Sequence, residues 1–131
     1  MGILPYLMDG AVRCHPMGLR SADTFSEYER VDQALEENQA VLPPVVLTEM
    51  LSGPKLDEEV RRLIEQLPML ETRPGFWQRS GTTRARVLAQ RLRARLADTL
   101  ISQSCIDHGV VLITRDSDFR HFERHAGLHL V

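Results

Sequence analysis

The sequence predicts one α/β domain with a central, mainly parallel sheet covered by helices on both faces. Three observations predict it. Short apolar runs alternate with longer segments whose apolar residues recur three or four positions apart. One run, Val110-Val111-Leu112-Ile113, is apolar at every position, as a strand buried on both faces must be. The chain has 131 residues, 43% of them apolar, which suits a single domain over residues 1–131 with its own core.

In chain order, residues 3–8 read as a short buried strand running into Asp9-Gly10. Residues 21–38 read as a helix, capped by Ser21 or Asp23, with Phe25, Tyr28, Val31 and Leu35 at helical spacing. Residues 41–47 are apolar, β-branched and too short for a helix, so they read as a second strand, its pairing confined by Pro43-Pro44 to the later half. Residues 48–53 begin a helix or turn that Gly53-Pro54 closes. Residues 56–66 form a helix with Leu56, Val60, Leu63, Ile64 and Leu67 on one face, and Met69-Leu70-Glu71 reads as a short strand. Residues 76–90 form a helix whose Trp77, Ala85, Leu88 and Ala89 are expected to face inward. A helix over 98–108 buries Ile101, Cys105 and Ile106 and stops at Gly109, before the strand at 110–114. A short helix at 121–125 and a strand at 128–131 complete the chain.

Composition excludes several function classes. No apolar run approaches the roughly 18 residues of a membrane span. The apolar start lacks the basic segment of a signal peptide, and two cysteines, Cys14 and Cys105, cannot make a disulfide framework, so a cytoplasmic location is expected. No glycine-rich phosphate loop occurs, which disfavours nucleoside-triphosphate hydrolysis. An aspartyl-phosphate mechanism at Asp9 lacks its nearby second acid, and Lys55 is the only lysine. The formal net charge of −2 hides an asymmetry: residues 73–97 hold seven arginines and no acid. That run is either a solvated helix face or a surface toward nucleic acid or an acidic partner, since the guanidinium fork suits phosphate. Phe76 and Trp77 read as packing residues before base-stacking ones. His121, His125 and His129 are spaced by four, but Gly127 interrupts them, so they do not read as a zinc site. Cys14-His15 has no evident third partner, and neither cysteine reads as a nucleophile.

In parallel sheets the functional crevice lies beyond the carboxyl ends of the strands. Asp9 follows the first strand, Glu49 the second, and Asp116 and Asp118 the strand at 110–114, while Asp98 opens the helix before it. Carboxylates gathered at one sheet edge repel one another and are tolerated when a divalent cation neutralises them. Oxygen-only ligands suit Mg²⁺ or Mn²⁺, which can hold phosphate oxygens and acidify a bound water.

Residues 96–119, LADTLISQSCIDHGVVLITRDSDF, resemble the C-terminal signature of PIN-domain ribonucleases, and most closely the VapC-type toxins of VapBC toxin–antitoxin pairs. Residues 43–53, PPVVLTEMLSG, resemble the family's central block. The resemblance implies a three-layer α/β/α sandwich and a metal-dependent endoribonuclease leaving a 5′-phosphate and a 3′-hydroxyl. By it Asp9, Glu49, Asp98 and Asp116 are the acidic quartet, with Asp9 and Asp98 the most direct ligands of Mg²⁺ or Mn²⁺ and Asp118 a fifth member. Thr114 matches a position whose hydroxyl bonds near the cluster. A homodimer, an RNA substrate and a VapB-like antitoxin are implied, with no membrane. The sequence departs from the family at Gly10-Ala11, where hydroxyl residues usually follow the first aspartate. Asp23-Thr24 fits the motif better locally, but Asp23 follows no apolar strand and lies too near Glu49 for the intervening helix, so Asp9 is preferred. Two other readings stay open: a PIN-fold binding module with a degraded site, and a Mg²⁺-dependent phosphohydrolase acting on small phosphates.

Overall fold

A computed structural model of the protein describes residues 12–16, as backbone alone, and residues 40–130. The expected strand at 3–8, Asp9, and the expected helix at 21–38 lie outside the described residues. Those described form the strands β1 (Val12–Pro16), β2 (Ala40–Val41), β3 (Val110–Ile113) and β4 (His129–Leu130). The helices are α1 (Pro44–Leu51), α2 (Glu58–Glu65), α3 (Phe76–Ala89), α4 (Leu96–His108) and α5 (Arg120–Ala126), with a 3₁₀ turn at Ser117–Phe119. The architecture is α/β.

The sheet order is β2-β1-β3-β4. β1 runs antiparallel to both β2 and β3, pairing Arg13 with Val41 and Val12 with Ile113. β3 and β4 are parallel, with Val111 opposite His129. β2, β3 and β4 therefore point the same way, and β1 is the reversed strand among them. All four residues of β3 are buried. Since successive side chains point to opposite faces, both faces of this strand are covered. The core gathers around it: Phe122, Leu42, Ile64, Ile101, Leu112, Ile113 and Leu128 are fully buried. Each such side chain stabilises the fold by about 1.5–3 kcal/mol relative to exposure.

The expected strand over 41–47 is corrected. Strand pairing ends early, with the isolated parallel bridge of Leu42 to Met69, and the chain turns helical at Pro44. Pro43 is the N-cap at φ −61°, ψ 143°, and Pro44 occupies the first turn, where its missing N–H is no loss. Val45, Val46 and Leu47 are thus helical, and Glu49 sits on α1 rather than at a strand end. The bridge at Met69 agrees with the short strand expected there, and Leu42 N–H donates to Pro68 O at 2.9 Å. Asp57 starts α2 by accepting a hydrogen bond from the Glu59 N–H.

α3 has the expected span but presents the other face to the interior. Phe76, Ser80, Thr83 and Val87 are buried, whereas Trp77 is 65% exposed and Leu88 46%, with Ala85 and Ala89 also exposed. The reason is a polar seam against α4. Thr83 Oγ1 donates to Gln103 Oε1 at 2.5 Å, and Gln103 Nε2 donates to Asp107 Oδ1 at 2.8 Å. Arg79 forks onto both Asp107 oxygens, at 3.0 and 2.6 Å. Part burial works to raise the Asp107 pKa, but the bonds from Arg79 and Gln103 bring it below the usual carboxylate value. Arg73 donates to the Asp107 carbonyl and Arg84 to that of Ala94, so three of the seven arginines in the acid-free run tie the chain together.

Candidate metal centre

α4 carries the first site residue. Asp98 lies in its first turn, where the helix dipole favours an acid, and Thr99 Oγ1 donates to the Arg95 carbonyl at 2.8 Å. The helix ends where expected: Gly109 adopts φ 61°, ψ 40°, a left-handed geometry that glycine takes without a Cβ penalty. The chain then turns directly into β3, which delivers Thr114, Asp116 and Asp118 to the same end of the sheet as Asp98. Thr114 Oγ1 accepts from the Asp116 N–H at 3.1 Å, and Asp116 Oδ1 accepts from the Asp118 N–H at 2.9 Å. Each acid of the loop is thereby fixed by backbone bonds, and the Thr114 hydroxyl falls beside the acids, as the motif implied.

Carboxylate oxygens of Asp98, Asp116 and Asp118 lie within 4.8 Å of one another. Asp98 is half-buried, and its pKa is pushed up to about 6. Burial is the main cause; Asp116, Asp118 and Glu49 add repulsion, and Arg95 partly offsets it. Glu49 is outside the close trio but near enough to act on Asp98, and burial raises its own pKa. The structure therefore brings three of the expected acids together and leaves a fourth, Glu49, beside them on α1. Asp9 falls outside the described residues. The donor set is all oxygen and carries excess negative charge, which fits a hard divalent cation and disfavours zinc.

Two neighbouring surfaces escaped the sequence reading. Arg115, Arg120 and Arg124 wall a cavity of about 400 Å³ that shares Asp116 with the acidic trio. The arginine spacing of four on α5 was its signal, hidden behind the denser run at 73–97. Trp77, Gly81, Ala85 and Leu88 of α3 and Leu96 and Leu100 of α4 line a mainly apolar cavity of about 460 Å³.

Among the described residues no helix is long and apolar enough to cross a membrane. The PIN domain family model matches residues 23–125, which include Glu49, Asp98, Asp116 and Asp118 and begin at Asp23, leaving Asp9 outside. No curated protein matches the chain in sequence.

Proposed function

Because the chain belongs to the PIN domain family, a nuclease fold, we propose that it is a Mg²⁺- or Mn²⁺-dependent endoribonuclease and the toxin of a type II toxin–antitoxin pair. One observation carries this reading: three carboxylates from α4 and the loop after β3 meet within 4.8 Å. Asp98, Asp116 and Asp118 hold the cation, with Glu49 beside them and Asp9 as the expected N-terminal ligand. When bound, the cation supplies an acidified water and charge neutralisation at an RNA phosphate.

The chain's own groups do the rest. The Asp118 N–H bond keeps one Asp116 oxygen in place, and Thr114 pins the Asp116 backbone, so the loop needs no reordering to bind. Asp98, with a pKa near 6, keeps its proton in weak acid and presents a carboxylate at neutral pH. The family resemblance implies products with a 5′-phosphate and a 3′-hydroxyl. Asp98→Asn is expected to abolish divalent-metal-dependent cleavage of single-stranded RNA while the circular dichroism spectrum is kept. Full cleavage by that variant refutes the assignment.

The toxin role extends the same reading. Trp77 and Leu96, 65% and 60% exposed, line one apolar cavity, and arginines 86, 91, 93 and 95 are exposed in the stretch of chain between them. Such a surface suits an amphipathic, acidic segment of a VapB-like antitoxin, or the second subunit of a homodimer. Co-expression with the neighbouring reading frame tests the partner, and sedimentation tests the dimer.

A second reading has its own support. The family match starts at residue 23, and Asp9 is followed by Gly10-Ala11. A PIN-fold binding module with a degraded site is consistent with both. Mn²⁺ titration separates the two: saturable binding at millimolar or lower concentration supports the nuclease, and its absence in folded protein supports the module.

A further inference from the structure

We propose that the cavity walled by Arg115, Arg120 and Arg124 seats an RNA backbone phosphate adjacent to the one at the acidic trio. The inference rests on the nuclease reading and adds where the substrate strand runs.

Arg115 follows β3, and Arg120 and Arg124 stand one turn apart on α5, so residues from two elements line one cavity of about 400 Å³. Thr114 and Ser117 add hydroxyls to its wall. Among the described residues that line it, three are arginines and two, Asp116 and Glu123, are acids. Planar guanidinium forks bind tetrahedral oxyanions in pairs of hydrogen bonds, the geometry a phosphodiester offers. Position decides between anions. The cavity shares Asp116 with the trio, so a strand with one phosphate at the trio carries its next phosphate to this wall. Phosphates recur along a nucleic-acid strand as a matter of covalent geometry. An acidic peptide has no such reason to place a carboxylate there.

The variant Arg120→Gln/Arg124→Gln tests the proposal. Both positions are exposed, so the fold is expected to survive, which a thermal melt checks. Fluorescence anisotropy with a labelled single-stranded RNA in Mg²⁺ is expected to give a Kd raised about tenfold, with the slope of log K against log salt shallower by about 0.7 per lost phosphate contact. Mn²⁺ affinity is expected to stay unchanged. In cleavage assays KM should rise with kcat nearly constant on an oligonucleotide, while a dinucleoside monophosphate, which has only the scissile phosphate, should be cut equally by both proteins. Unchanged RNA affinity and salt slope in the double variant overturn the proposal. So does a wild-type preference for inorganic phosphate or polyglutamate that RNA cannot compete away. Arginine-dependent RNA binding without any metal-dependent cleavage leaves this site standing and sinks the nuclease reading alone. Intact cleavage with arginine-independent binding does the reverse.

Discussion

Asp98→Asn separates the cost of the acidic trio from its use. In the metal-free protein the Asp98 pKa rises from 3.8 to about 6. The folded state thus keeps a proton between those values that the unfolded chain releases. By linkage, stability falls as pH rises across that window, and above the folded pKa the whole cost is present. A shift of about two units corresponds to about 3 kcal/mol at 1.36 kcal/mol per unit, and solvent screening of this half-exposed group reduces it to about 1–1.5 kcal/mol. The neutral amide removes the charge, and with it the burial penalty and the smaller repulsion from the neighbouring acids, at nearly constant shape. In EDTA at pH 8 the variant is therefore expected to melt about 4–6 °C above the wild type. At pH 4, where the carboxyl is mostly protonated in the fold, the gap should nearly close. Mn²⁺ then reverses the order: at a hundredfold excess over Kd the wild type gains about 2.7 kcal/mol, and the variant, short of a ligand, gains little. Differential scanning calorimetry at both pH values, with and without Mn²⁺, reads all four states. A variant less stable than wild type in EDTA at pH 8, or a gap independent of pH, refutes the reasoning.

Other outcomes follow from particular residues. Gly109→Ala forces a Cβ into φ 61° and should lower stability by about 1–2 kcal/mol, seen as a lower urea midpoint. Ser80 Oγ is buried with no hydrogen-bond partner among the described residues, so Ser80→Ala is expected to raise stability by about 0.5–1 kcal/mol, in part through helix propensity, measured by thermal melting. Asp9→Asn should weaken Mn²⁺ binding by calorimetry and Asp23→Asn should not; the opposite result moves the N-terminal ligand to Asp23.

Legibility varied along the chain for physical reasons. α4 and β3 were readable because a glycine cap and an unbroken apolar run are local signals, and with them came Asp98, Asp116 and Asp118. The start of α1 was misread because Pro43-Pro44 can punctuate a strand or open a helix, and β-branched valines favour the first choice; the helix wins where Val46 and Met50 reach the core. The buried face of α3 was misread because apolar periodicity assumes an apolar partner. Thr83 is inside since α4 offers Gln103 there, itself held by Asp107, which no pattern within α3 reveals. The arginine run looked like one surface, yet Arg73, Arg79 and Arg84 are tethers, and the cavity beside Asp116 is walled by arginines from another part of the chain.

The joint between α3 and α4 has a mechanical consequence. Greasy contacts allow a helix to creep or roll by small steps, whereas directional bonds at Thr83, Gln103, Asp107 and Arg79 act like teeth that mesh at one setting. Asp98 rides on the same rigid rod, under ten residues from those teeth. Wear at that gear, far from any phosphate, should show itself as misalignment of the carboxylates before it shows as unfolding.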